Sequence, residues 1–453
     1  MPEPVHTDGP LPVAVVGAGP VGLAAAAHLI SRNIEPIVFE AGEQVGASVR
    51  EWGHVRLFSP WEFNLDPVAA DLLGATGWSA PEADGYPTGA ELVERYLEPL
   101  ASVPAIASAL QLGARVVGVA RRGIDKLKDA GREESPFELV VEQDGVERRV
   151  LARAVIDASG TWTNPNPLGS GGLPAVGERA LADRIAYRIP DVLDRDRDRY
   201  ARRRVLVVGS GHSAFNAILD LVALRDSEPA TEILWAIRGS VPGRRYGGGG
   251  DDQLPARGAL GATVRGLVED GSVELVSGFH AREVATVEGR LLVADGARNV
   301  AADEVIAATG FRPDPILLGE LRLDLDDRVE AARALAPLID PNLHSCGSVP
   351  PHGVDELSHP DQGVYMVGMK SYGRAPTFLL RTGYEQVRSI AAALAGNSEA
   401  ARRVELVLPE TGVCNRSPVP DETALGASAS ACCGAGSGHE PVIEDELSSI
   451  ETR

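Results

Sequence analysis

The chain of 453 residues is too long for one ordinary core and long enough for two or three domains, which excludes a single small binding module. Hydrophobic residues make up 44% and charged residues 24%, a soluble globular profile, and no apolar run is long enough to span a membrane. With 43 Lys+Arg against 64 Asp+Glu the formal charge is −21, which argues against nucleic acid or an anionic membrane as partner.

Residues 11–40 read as strand, glycine turn, helix, strand. An apolar run leads into Gly17, Gly19, Pro20 and Gly22; an alanine-rich helix follows, and the next strand ends at Glu40. Gly17 permits the tight turn, Gly19 lets the backbone approach a pyrophosphate, and Gly22 lets helix and strand pack closely. The helix start offers unpaired N–H groups, and Glu40 stands where a carboxylate accepts ribose hydroxyls. A glycine turn that only joins strand to helix is the alternative, but strand, helix and acid in register favour a dinucleotide.

Further along, Thr88 opens a helix as a capping-box residue. Residues 111–120 and 137–143 read as strands of a small sheet, with 122–135 as an exposed hairpin or loop between them. Residues 154–160 form a short apolar strand ending at Gly160. A second strand–turn–helix unit starts at residue 204 with Gly209, Gly211, Ser213 and Ala214, alanine taking the place of the third glycine. Its next strand ends in Arg238, whose guanidinium would pair with a 2′-phosphate, so NADPH is expected over NADH; a solvated strand-end charge is the alternative. Residues 303–314 repeat the strand-to-glycine pattern at Gly310, residues 363–368 are a buried strand ending at Gly368, and residues 377–394 are helical, returning the chain to its first domain. From about residue 401 the composition turns polar, small and acidic, as in a poorly ordered tail.

Two nucleotide fingerprints in this order, small-residue turns at Gly160 and Gly310, and a late strand ending at Gly368 resemble the two-dinucleotide-binding-domain flavoproteins, which include flavin-containing monooxygenases and thioredoxin reductases. The resemblance implies an α/β fold of two Rossmann-like three-layer domains, with the NADPH domain inserted in the FAD domain. It places the FAD domain at 1–165 and 311–400, the NADPH domain at 166–310, and an acidic, cysteine-bearing tail at 401–453. It puts FAD on Gly17, Gly19, Pro20, Gly22 and Glu40, with Gly160 and Gly368 near the flavin and Val116 as an adenine contact through its backbone. Trp52 either lines the isoalloxazine approach or is an ordinary core aromatic. NADPH falls on Gly209, Gly211, Ser213, Ala214 and Arg238, with Gly310 at the junction.

Departures narrow the resemblance. No cysteine precedes Cys346, so the dithiol of the disulfide reductases is missing, and the linker at 173–181 lacks the histidine of the monooxygenase fingerprint. Residues 49–61 and 244–250 resemble monooxygenase-like flavoproteins encoded with bacterial arsenic-resistance genes. The activity implied is hydride transfer from NADPH to flavin and onward to O₂ and a small-molecule or metalloid substrate. Asn64 is the candidate for an asparagine beside the flavin, or else caps the turn before Asp66. Tyr246 and the glycines after it form either a lid or a plain loop.

A competing mechanism rests on the tail. Cys432 and Cys433 resemble the C-terminal pair of mercuric reductases, and with Cys414 they would offer three thiolates to a soft ion such as As(III). That would make the protein a metalloid reductase; incidental cysteines are the alternative, and a non-enzymatic redox or metalloid sensor is a third reading. Four cysteines and no signal-peptide pattern suit a reducing, cytoplasmic compartment. The nine histidines show no metal-site spacing, so no structural metal is expected. His352, Asp355, Glu356 and His359 form a polar knot, expected on a surface loop near the flavin.

Overall fold

A computed structural model describes residues 10–239, 246, 252, 254–343, 349–375 and 378–406. The chain divides into compact units Met1–Arg416 and Ser417–Arg453, and all described residues lie in the first. The apolar run before the first glycine turn is β1 (Val13–Val16), buried on both faces and parallel to β2 (Pro36–Phe39), with β3 (Leu110–Gln111) beyond it. An antiparallel meander follows, β4 (Ala114–Arg121), β5 (Phe137–Gln143) and β6 (Val146–Ala152), before β7 (Ala154–Asp157) joins the other side of β1.

A second parallel sheet contains β8 (Ile185–Ala186), β9 (Arg204–Val208), β10 (Glu232–Ala236) and β11 (Glu274–Val276). After a second meander, β12 (Glu283–Val287), β13 (Arg290–Ala294) and β14 (Asn299–Ala302), strand β15 (Glu304–Ala307) enters that sheet between β9 and β8. Finally β16 (Val364–Met366) returns to the first sheet beside β7, giving the order β16-β7-β1-β2-β3.

Both sheets are covered on both faces, which is why their strands are uninterrupted apolar runs. In the first, Val13, Val15 and Ile156 share a core with helices α1 (Pro20–Ile30) and α3 (Leu380–Leu394). Ala14, Val16, Val155 and Met366 face Phe137, Leu139 and Val141 of the meander. In the second, Val205, Val207 and Trp235 pack on α2 (His212–Ser227), while Leu206 and Leu234 pack on Val284, Leu291 and Val293 of the other meander. Four consecutive alanines, Ala24 to Ala27, are fully buried and let α1 lie close to its neighbours on both sides.

Several sequence expectations are corrected here. The strand expected at 111–120 breaks at Gly113, where φ is +62, so Gln111 ends β3 of the parallel sheet and Ala114 begins the meander. The stretch 122–135 is not wholly exposed, because Arg132 is buried against Asp361. Residues 401–406 are not tail: Ala401 and Leu406 are buried, and Arg388 and Ser389 of α3 donate to the carbonyls of Ala400 and Ala401 at 2.8 and 2.6 Å. The last long helix begins at Leu380, while Thr377 lies outside the described residues. Among the described residues no helix is long and apolar enough to cross a membrane.

Candidate functional site

The first glycine turn lies at the C-terminal edge of β1. Gly17 has φ +97, and a Cβ there would stand 2.8 Å from the Ala158 carbonyl oxygen; one on Gly22 would stand 1.9 Å from the Gly17 oxygen. A Cβ on Gly19 would meet nothing within 4 Å. The turn is therefore tight against β7 and open at Gly19, where α1 starts with Pro20 at its first position, no side-chain cap and no acid in its first turn. Uncapped N–H groups in that setting suit an anion. Glu40 is held beside the turn, its Oε2 accepting from the Ala18 N–H and its Oε1 from the Gly42 N–H, each at 2.8 Å. Val116 sits in β4 at the bulge where the register shifts, and Ala114, two residues before it, donates to the Glu40 carbonyl at 2.8 Å.

The second turn repeats this geometry. Gly209 has φ +134, with the Ala308 oxygen 2.1 Å from where its Cβ would be, and Gly211 is open at the uncapped start of α2. Ser213 is half-buried and Ala214 buried in the first turn of α2, which carries no acid. Arg238 lies exposed two residues beyond β10, its Nη1 donating to the Ser170 carbonyl at 3.0 Å. Buried Glu178 fixes the loop that bears Ser170, accepting from the N–H groups of Leu168, Gly169 and Ala175 and from the Tyr187 hydroxyl. His212, next to Gly211, lies against Phe58, the rings tilted by 40° with centroids 5.0 Å apart. Burial, with a smaller push from Arg257, drives its imidazole down to about 4 against the pull of Asp252, so it is neutral at physiological pH.

Between the two sheets the chain crosses twice, beside Gly160 and Gly310. The crossing strands pair through Pro165 and Phe311, and Asn166 donates to the Gly310 carbonyl at 2.9 Å. Trp162 stacks on Phe311 at 4.8 Å, and Glu51 accepts from the Trp162 Nε1–H at 3.0 Å and from Arg188. Trp52 ends the short helix Ala47–Glu51 and packs against the first core, its ring 2.7 Å from where a Cβ on Gly89 would be.

Asn64 is buried and turned into its own loop. Its Nδ2 donates to the carbonyls of Ser59 and Pro60 at 2.8 and 2.9 Å, and its Oδ1 accepts from the Ser59 hydroxyl. Asp66 caps the following helix, Pro67–Gly74. The polar knot is also corrected: His352 and His359 are buried rather than on a surface loop. Gln386 Oε1 accepts the Gly368 N–H at 2.8 Å, so its amide faces His352 Nε2 at 2.9 Å, and the ring proton sits on Nδ1 against the Pro350 carbonyl. Burial lowers the pKa of His352 and keeps it neutral. Glu356 accepts from the Gly353 N–H, while Asp355 pairs at the surface with Arg402.

Tyr246 is buried against Trp235, 5.9 Å between centroids, in core contact rather than a lid. The glycines after it, and Cys346, Cys414, Cys432 and Cys433, lie outside the described residues. Among the described residues no group of three or more His, Cys, Asp or Glu is arranged to hold a metal. Sequence reasoning missed a buried ion pair at the first site, Lys370 Nζ to Asp157 Oδ2 at 2.6 Å. The signal was available: Lys370 is one of three lysines in an arginine-rich chain and stands two residues after Gly368.

The model of an NAD(P)-binding Rossmann-like domain matches residues 15–76. Bacillithiol disulfide reductase of Bacillus cereus superposes with a TM-score of 0.63 at 20% identity, covering 86% of this chain and 99% of that one. A flavin-containing monooxygenase of Stenotrophomonas maltophilia gives 0.52 at 20% identity over 85% and 99%. The chain shares the fold of these proteins. By sequence, a flavin-containing monooxygenase of Aspergillus flavus is 28% identical over 219 residues, 46% of this chain and 50% of that protein. The chain thus spans about half the length of the curated relative it matches.

Proposed function

We propose that the protein is an FAD- and NADPH-dependent oxidoreductase of monooxygenase type, taking hydride from NADPH and delivering electrons to O₂ and a small substrate. The observation that carries this reading is the pair of glycine turns at the C-terminal edges of two parallel sheets, each open over an uncapped, acid-free helix start. FAD, when bound, supplies the redox chemistry, and the protein binds, orients and excludes water. Gly17, Gly19, Pro20, Gly22 and Glu40 hold its pyrophosphate and ribose, Gly160 and Gly368 border the flavin, and Val116 meets the adenine. Gly209, Gly211, Ser213, Ala214 and Arg238 hold NADPH in a domain at 166–310 inserted between 1–165 and 311–400.

The lack of any cysteine before Cys346 favours this chemistry over disulfide reduction. The likeness of residues 49–61 to flavoproteins encoded with arsenic-resistance genes makes trivalent arsenicals the first substrates to try, and the low cysteine content suits the cytoplasm. The test is turnover under ¹⁸O₂: purified protein should be yellow, oxidise NADPH and put one labelled oxygen atom into its product. Undiminished anaerobic turnover with an added electron acceptor, lost when residues 407–453 are removed, would replace the monooxygenase by a reductase using Cys432 and Cys433.

A further inference from the structure

We infer that Lys370 is a ligand to the pyrophosphate of the dinucleotide bound at the first glycine turn, an inference that rests on reading that turn as a nucleotide site. Lys370 is 2% exposed and Asp157 0%. The ammonium donates to Asp157 Oδ2 at 2.6 Å and to Ser159 Oγ at 2.9 Å, and Ser159 in turn donates to Asp157 Oδ1 at 2.6 Å. An ammonium has three N–H donors, and this arrangement uses two.

The pair lies at the glycine turn itself. Asp157 ends β7 in register with Val16 of β1 and Met366 of β16, so all three strands stop at the edge that carries Gly17. The Ser159 Cα is 3.1 Å from where a Cβ on Gly17 would stand, and a Cβ on Gly368 would stand 3.2 Å from Val21 in the first turn of α1. Lys370 thus bonds to the turn after β7, two residues along the chain from the point where Gly368 closes on the start of α1. Two carboxylates, Glu40 and Asp157, already border this place, and the residues 17–22 include no base. A doubly charged pyrophosphate there would meet the uncapped N–H groups at the start of α1, and the third N–H of the Lys370 ammonium would add a charged donor beside them. Stability alone does not explain the pair, since an apolar pair of similar volume would serve a buried position as well or better. A lysine, compact and with donors on three sides, fits where a planar guanidinium fork would not.

The full-length protein freed of flavin is titrated with FAD, ADP and adenosine. Lys370→Met alone leaves Asp157 uncompensated and is expected to fold poorly, so the working variant is the neutral double change K370M/D157N. It should keep its melting temperature and adenosine affinity while FAD and ADP bind about 10- to 100-fold more weakly, the range of a lost charge-assisted hydrogen bond. FAD and ADP bound within twofold of the parent would overturn the inference. If the unaltered protein binds neither, the nucleotide reading itself falls. A measurement on the unaltered chain covers a variant that does not fold: with ¹⁵Nζ-lysine labelling and only three lysines, the Lys370 ammonium resonance should move with ADP and not with adenosine. No movement at saturating ADP would equally overturn it.

Discussion

Gly22 and Ala214 hold the same place in two turns built alike, and one oxygen atom separates their requirements. A Cβ on Gly22 would fall 1.9 Å from the Gly17 carbonyl oxygen, whereas the second turn accommodates the buried methyl of Ala214. Gly22→Ala should therefore destabilise the fold by about 1–3 kcal/mol as an overpacked contact and yield flavin-poor protein, read from the melting temperature and the ratio of visible to ultraviolet absorbance. Ala214→Gly should lose only about 1 kcal/mol through helix propensity and leave NADPH binding intact. On the proposed NADPH reading Arg238 would act through charge rather than fit: it is exposed, tethered at one nitrogen to Ser170, and lies two residues beyond the strand end. Arg238→Ala should raise the KM for NADPH roughly 10- to 100-fold and leave that for NADH nearly unchanged, since only the 2′-phosphate loses a charged partner; steady-state kinetics with both nucleotides checks it.

Between elements, the largest departure from the sequence reading is the clamp on Asp361. Its carboxylate takes Arg132 bidentately at 2.8 and 2.6 Å and the Arg322 N–H at 2.7 Å, tying the 122–135 loop to the approach to β16. Burial pushes the Asp361 carboxyl up, but hydrogen bonds from Arg132 and Arg322 and the charges of Arg132 and Arg121 outweigh it, so its pKa lies below the ordinary carboxylate value. A carboxyl depressed in the native state stabilises it fully above about pH 4, and that contribution disappears as pH falls through the native pKa. Asp361→Asn should thus lower stability by about 3–5 kcal/mol at pH 7 by leaving Arg132 buried without its partner, and the gap from the parent should narrow in urea melts below about pH 4. Nothing in residues 122–135 announces this clamp, because its partner is 229 residues away. The first strand–turn–helix unit was legible because glycine spacing and an alanine run are local consequences of local geometry. The β12–β14 meander was not, since Val284, Leu291, Val293 and Val300 are apolar for the sake of a sheet face formed by distant strands. His352 misled for the same reason: prolines and glycines around it suggested a surface, yet Gln386 of α3 closes over it.

At the scale of the whole molecule, each sheet has its own cores, and the chain passes between them only at the crossings near Gly160 and Gly310 among the described residues. Among the described residues the contacts that also join the halves include the half-exposed Glu51–Arg188 ion pair, Arg188 over the Trp162 ring at 5.3 Å and the Phe58–His212 ring contact. Such a surface ion pair contributes about 0–1 kcal/mol and a ring pair about 0.5–1.5 kcal/mol, too little to force two cores to melt together. Calorimetry should accordingly resolve two transitions, and each nucleotide should move its own. At a hundred times its Kd a ligand adds about 2.7 kcal/mol to the unit that binds it, roughly 5–10 °C for a unit near 200 residues. FAD should raise one transition and NADP⁺ the other. Acid should destabilise the unit that carries α2: His212 is held neutral down to about pH 4, so the unfolded state takes up a proton first as pH falls below about 6.5, and stability is lost through that window. The NADP⁺-responsive transition should therefore fall between pH 7 and pH 5 by more than it does in His212→Phe, which keeps a ring against Phe58 without a titrating nitrogen. One transition shifted equally by either nucleotide would show that the two sheets melt as a single unit.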